Sequence, residues 1–143
     1  MTQSFPKVKI VATGKVKKSW LKEGIAVYTK RLPEVEIVEI KDSGQEKEAD
    51  KLLGMLNARD KLVVLAEYGK TYDSVEFARW LGEGASGKLV MFIGGAEGIS
   101  DRLKKYPMLS LSDMTFPHEV ARLMLIEQLY RAKTILQNGS YHK

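Results

Sequence analysis

Four short stretches carry side chains whose types and spacing suit chemistry. Ser112-Asp113-Met114-Thr115-Phe116-Pro117-His118 mixes hydroxyls with apolar side chains in no helical or alternating period. A flat heteroaromatic ligand suits such a loop, since apolar walls take the ring and backbone groups take its edge nitrogens. Gly94-Gly95-Ala96-Glu97-Gly98 lets backbone N–H groups approach a ligand with no Cβ in the way. No Lys-Ser/Thr pair follows, so it is not a Walker phosphate loop, and it lacks the spacing of a dinucleotide fingerprint. A glycine-rich strand-to-helix turn accounts for it equally well. His118 falls in the first turn of a long helix, where the positive dipole end disfavours imidazolium. A neutral imidazole there accepts a proton or donates a hydrogen bond; a cap or a structural histidine is the alternative. At the other end of that helix, Tyr141 and His142 suit stacking on a base or hydrogen bonding to it, with Lys143 near phosphate. Packing alone is the competing explanation.

Between those ends, Glu127 and Arg131 stand four apart, as a helical surface ion pair does. Arg122 is placed to face a site at the helix's N-terminal half. The chain has two histidines, His118 and His142, no cysteine, and no compact acidic spacing. Thiolate zinc sites, disulfide scaffolds and cysteine nucleophiles are thereby excluded, and no metal is expected.

These stretches need elements to hold them. Lys7 to Thr13 reads as a strand ending at Gly14. Trp20, Leu21, Ile25 and Tyr28 recur at helical spacing until Pro33. Val35 to Ile40 reads as a strand, and Ala49, Leu52, Leu53 and Leu56 as an amphipathic helix. Leu62 to Ala66 is a continuous apolar run, as for a strand covered on both faces, with a loop from Glu67 to Tyr72. Asp73 with Glu76 is placed for a capping box on a helix through Phe77 and Leu81. Leu89 to Ile93 is another buried strand; a short helix from Ser100 and a strand at Met108 to Ser112 follow. The longest helix runs from about Pro117 to Gln137, and Gly139 closes it. Strands alternate with helices, so the expected fold is α/β with a largely parallel sheet and flanking helices, in one domain over residues 1–143. Ligands in such sheets bind beyond the carboxyl ends of the strands.

With 143 residues, 44% hydrophobic and 29% charged, the chain can build a core and is not a disordered sequence. No apolar run approaches the roughly 20 residues a bilayer core requires, and Met1 to Pro6 does not read as a secretory leader. A cytoplasmic setting is expected. The net charge of +5 is uneven: +7 from Met1 to Arg31, −4 from Leu32 to Asp60 and +2 beyond. Lys15, Lys17, Lys18, Lys22 and Arg31 form a basic zone that suits a polyanion, nucleic acid first among them. A solvated helix face is the alternative.

Taken in order and spacing, Ile93-Gly94-Gly95-Ala96-Glu97-Gly98-Ile99-Ser100, Leu109 through His118, Glu127-Gln128-Leu129-Tyr130-Arg131-Ala132 and Tyr141-His142 resemble the ribosomal RNA large subunit methyltransferase H family, within the SPOUT superfamily. Trp20, Tyr28 and Lys30-Arg31-Leu32-Pro33 fit as well, so the likeness covers nearly the whole chain. The resemblance implies a SPOUT-type homodimer with a C-terminal trefoil knot, an exception to un-knotted topology. It implies methyl transfer from S-adenosylmethionine to N3 of a pseudouridine in 23S rRNA of the assembled ribosome. The cofactor contacts it implies map onto Leu65 and Ala66, Gly95, and Ser112, Asp113, Met114, Thr115, Phe116 and Pro117; Gly94 and Gly98 complete the glycine loop. The N3–H must be lost, so His118 or His142 is expected to assist deprotonation, with Arg122 or Lys143 stabilising the anionic base. The family's Tyr-His tail maps onto Tyr141 and His142. Lys15, Lys17, Lys18, Lys22, Arg31 and Lys143 are the expected RNA contacts. Three departures stand out: a shorter Ile40–Leu62 region, Ala66 where the family often has an acid, and Ser140 where proline often precedes Tyr-His. A non-enzymatic RNA- or ribosome-binding module of the same fold and a SPOUT enzyme acting on tRNA remain alternatives.

Overall fold

Among the described residues, five strands form one parallel sheet in the order β2-β1-β4-β3-β5. The computed structural model describes residues 4–84 and 87–143. The strands are β1 (Val8–Thr13), β2 (Val35–Ile40), β3 (Lys61–Thr71), β4 (Leu89–Ile93) and β5 (Met108–Ser110). The helices are α1 (Ser19–Thr29), α2 (Gln45–Met55), α3 (Ser74–Gly82) and α4 (His118–Leu136). In register, Val8 on β1 faces Val35 on one side and Leu89 on the other.

The period-two geometry of strands explains the continuous apolar runs. On β4, Leu89, Met91 and Ile93 join the layer that packs with α1, α3 and α4. Val90 and Phe92, one residue out of step, join the opposite layer with Ala49 and Leu52 of α2. α3 begins with the expected capping box: Asp73 Oδ1 accepts from Glu76 N at 2.7 Å, and Asp73 N donates to Glu76 Oε1 at 2.9 Å.

α2 starts four residues before its first buried apolar side chain, Ala49, because a buried carboxylate organises its entry. Glu48 accepts from Ser43 N at 3.2 Å, Gly44 N at 3.0 Å and Thr13 Oγ1 at 3.3 Å. These bonds tie the helix N-terminus to the end of β1 and satisfy a charge that burial would otherwise penalise.

Four expectations change. Residues 67–71 are strand rather than loop: β3 runs on to Thr71, and its pairing with β5 slips, Leu65 and Lys70 both facing Leu109. Residues 66–69 bulge between these registers, and at Gly69 a Cβ would lie 2.7 Å from the Met108 carbonyl carbon, so only glycine fits that crossing. β5 is shorter, ending at Ser110 rather than Ser112, and the short helix after Ser100 is a single 3-10 turn over Asp101–Leu103. At the end of α4 the left-handed residue is Asn138, with φ 57°, rather than Gly139. Asn138 N donates to Ile135 O at 3.1 Å and Gly139 N to Thr134 O at 2.7 Å, a Schellman closure one residue earlier than expected.

Candidate active site

A cavity of about 720 Å³ opens beyond the carboxyl ends of β3 and β4, the position where parallel α/β sheets hold ligands. Its floor is apolar: Leu65 from β3, Ile93 from β4, Leu109 from β5 and Leu111 just after it. Gly94, Gly95 and Gly98 form one wall; Ser112, Met114, Thr115, Phe116 and Pro117 form the facing one; Ala66 lies at the end of the floor. Of the stretch from Ser112 to Pro117, Asp113 is not on the wall.

Both walls are internally braced. Gly98, with φ +85°, donates its N–H to Gly95 O at 3.0 Å, which folds the glycine loop into a turn an L side chain would strain. Opposite, Ser110 Oγ donates to Ser112 O at 2.8 Å, and Ser112 Oγ accepts from Met114 N at 3.0 Å. Thr115 Oγ1 donates to Glu67 Oε2 at 2.8 Å and so ties that wall to the β3 bulge. Glu67 and Tyr68 at the rim belong to the 67–72 stretch expected at a strand's carboxyl end, whereas Lys104 was not singled out in the sequence; its only signal is that it follows the 3-10 turn.

His118, the first residue of α4, completes the wall. Its Nδ1 is buried and has no hydrogen-bond partner among the described residues. The ring edge at Cε1 lies 3.8 Å from where a Cβ on Gly14 would sit, so the imidazole packs toward the β1–α1 loop as well as lining the cavity.

Arg122, one turn further, is not on the cavity wall. It is buried, Nη1 donating to Glu39 Oε2 at 2.6 Å and Nη2 to Gly14 O at 2.9 Å. Both terminal nitrogens are engaged in holding the end of β2 and the β1–α1 loop against α4. The backbone N–H of Lys17 donates to Glu119 Oε1, fastening the same loop to the first turn of α4.

The tail forms a second cluster, around Glu127 and Arg131. Arg131 Nη2 donates to Glu127 Oε2 at 2.9 Å, the expected ion pair, while Nη1 lies 3.1 Å from His142 Nδ1. Tyr141 OH donates to Glu127 Oε2 at 2.9 Å, sits 3.3 Å from Tyr28 OH, and its ring meets Tyr130 edge-on at 4.8 Å. The hydrogen bond with Tyr28, then burial, then Glu127 raise the Tyr141 phenol well above its ordinary value. Tyr141 is therefore a neutral donor at physiological pH. Arg131, read from the sequence as a surface partner, also covers the Tyr141 ring at 4.9 Å. At 1.5 Å per residue, Arg131 lies about 20 Å along the helix from His118, so within one chain His118 and His142 are not brought together.

The basic zone is exposed. Lys15, Lys17 and Lys18 occupy the β1–α1 loop, and Lys22 the first turn of α1. Arg31 stacks on Tyr130 at 5.5 Å, beside the tail cluster, and Lys143 is exposed at the terminus. Among the described residues, no three His, Cys, Asp or Glu side chains gather as a metal site, and no helix is long and apolar enough to cross a membrane.

The class is a parallel α/β protein with a ligand-sized cavity at its strand ends, between a glycine loop and a hydroxyl-bearing loop. The family described as "Predicted SPOUT methyltransferase" matches residues 7–142. The chain belongs to this SPOUT methyltransferase family. It is 50% identical over 139 residues to a ribosomal RNA large subunit methyltransferase H of Synechococcus sp. (strain RCC307), covering 96% of this chain and 95% of that one. The protein of the same name from Prochlorococcus marinus (strain MIT 9303) is 50% identical, over 94% of this chain and 91% of its own. That from Parasynechococcus marenigrum (strain WH8102) is 49% identical, over 94% and 95%.

Proposed function

We propose that the chain methylates N3 of a pseudouridine in 23S rRNA, using S-adenosylmethionine held in the β3–β4–β5 cavity and acting on the assembled ribosome in the cytoplasm. The observation that carries this is the convergence of Leu65, Gly95 and the Ser112–Pro117 loop on one cavity. These are the stretches that the family resemblance assigns to the cofactor. The cavity fits that group: its volume is in the range for cofactor-sized ligands, its floor is apolar, and its rim carries charge of both signs. The trefoil knot and the one-domain organisation over residues 1–143 belong to the same reading.

Bound there, the cofactor supplies an activated methyl group with a neutral thioether as leaving group. The protein's part is orientation and proton removal. His118 lines the cavity and is the first choice for accepting the N3 proton. His142 and Tyr141 would act from the tail. The separation of about 20 Å along α4 favours a homodimer in which the tail of one subunit closes the cavity of the other. Lys143 would then lie near the developing anion. Arg122, with both terminal nitrogens committed to Glu39 and Gly14, is reassigned from anion stabiliser to positioning residue. Lys15, Lys17, Lys18, Lys22 and Arg31 would meet rRNA phosphates.

The test is tritium transfer from labelled S-adenosylmethionine to ribosomes lacking the modification, with free 23S rRNA and tRNA alongside. Label in ribosomes alone supports the whole reading. Label in tRNA moves the substrate to a different RNA, and verified absence of cofactor binding leaves a non-enzymatic RNA-binding module.

A further inference from the structure

The cavity differs sharply between floor and rim. Leu65, Ile93, Leu109 and Leu111 make a floor without a formal charge, whereas the rim is exposed and carries Glu67 and Lys104. Among the described lining residues Glu67 is the one carboxylate and Lys104 the one ammonium. S-adenosylmethionine has the matching polarity: a flat neutral adenine at one end, an ammonium and a carboxylate at the other. With adenine on the apolar floor, the amino-acid end reaches the rim.

We propose that Glu67 takes the ammonium group of the cofactor and Lys104 takes its carboxylate. This rests on the reading of the cavity as the S-adenosylmethionine site and assigns its charge-reading residues. The Glu67 carboxylate is anchored on one side and open on the other. Thr115 Oγ1 engages Oε2 at 2.8 Å, and Oε1 accepts no hydrogen bond among the described residues. Lys104 is paired with Asp101 at 2.7 Å, but side-chain exposures of 52% and 90% put that pair in water. Exposed pairs of this kind are weak, so a ligand carboxylate arriving from the cavity side displaces Asp101 at little cost.

Calorimetric titration of the purified full chain tests this without any turnover. The ligands are S-adenosylmethionine, decarboxylated S-adenosylmethionine (ammonium but no carboxylate) and 5′-methylthioadenosine (neither). Glu67→Gln should weaken the first two by about tenfold, as for loss of a charged hydrogen bond, and leave 5′-methylthioadenosine unchanged. Lys104→Met should weaken S-adenosylmethionine alone. The unchanged ligand reports that each variant keeps its cavity. Equal loss for all three ligands in Glu67→Gln would put that residue on the ribose or in the scaffold and overturn the proposal, as would no loss in either variant. A wild-type chain that binds none of the three refutes the cofactor reading itself.

Discussion

Arg122→Ala is expected to cost about 3 kcal/mol of stability. The Arg122 side chain is 4% exposed and its partner Glu39 40% exposed, with 2.6 Å between them. Stranding the partner of a fully buried pair costs about 3–5 kcal/mol, but water can reach half-exposed Glu39, which brings this part below that range, to about 1–2 kcal/mol. Loss of the donor to Gly14 O adds about 1 kcal/mol, and the buried aliphatic stem adds packing loss. At roughly 2–4 °C per kcal/mol for a chain of this size, Tm falls by about 10 °C. Thermal melts by circular dichroism measure it, at one fixed protein concentration because oligomer stability varies with concentration. Arg122→Lys, which can reach Glu39 but not also Gly14, should fall between the two, and Glu39→Gln, which keeps an acceptor but leaves the buried guanidinium without a counter-charge, should also be destabilising. Single-turnover methyl transfer is then compared well below each Tm. A strut predicts that Arg122→Lys keeps cofactor affinity and most of its rate. An unchanged Tm in Arg122→Ala refutes the structural argument. A folded Arg122→Lys variant that binds cofactor normally but transfers methyl more than about a hundredfold slower, nearly 3 kcal/mol in the barrier, would return Arg122 to the reacting base.

Gly69→Ala should prevent stable folding, or cost several kcal/mol, because its Cβ would meet backbone of β5 at 2.7 Å rather than a side chain that can move; soluble yield and melting temperature check it. Tyr141 has a raised folded pKa, so its contribution is fully present below about pH 10, the unfolded value, and is lost as pH rises beyond it. Tyr141→Phe should therefore show a shallower alkaline fall in Tm than the wild type, and identical slopes above pH 10 would rule the coupling out. Replacing Lys15, Lys17 and Lys18 together with Glu should weaken ribosome binding steeply and leave cofactor binding intact; equal loss of both in filter-binding and calorimetry would indicate misfolding instead.

The architecture was largely legible where one local signal sufficed. The apolar run Leu89–Ile93 implied a strand covered on both faces, and the Asp73/Glu76 pair marked the start of α3. The loop from Ser112 to Pro117 was found because its polar and apolar residues follow no period. What escaped is set by contacts between distant segments. The extension of β3 carries Glu67, Tyr68 and Lys70, which no burial pattern marks as strand, and only the slipped pairing with β5 makes them one. Nothing in the sequence marks Glu48 on α2 as buried, yet it is 3% exposed because Thr13, Ser43 and Gly44 converge on it. Arg122 is on the expected helix, but a sequence cannot show that Glu39 and the Gly14 carbonyl already hold it. Asn138 and Gly139 both suit a helix end, and which one takes the left-handed position depends on the register of the last carbonyls. Glu67 fell in a stretch expected at a strand end, but its meeting with Lys104 on one rim was missed, because the two are 37 positions apart and share no motif.

α4 carries His118 at its first residue and the Glu127–Arg131–Tyr141 cluster on its later turns. Between these ends the helix is a fixed gauge. One residue inserted between Ala121 and Leu125 would advance everything beyond it by about 1.5 Å and turn it by about 100°. Glu127 and Arg131 would swing away from Tyr28 and the tail, and Leu125, Ile126 and Leu129 would leave the core. The spacing from His118 to Arg131 should thus tolerate substitution but no change of length, whereas the turn between α2 and β3, residues 56–60, which lines no part of the cavity, can lengthen or shorten. Length variation in relatives of this chain is expected to collect there and to vanish along α4.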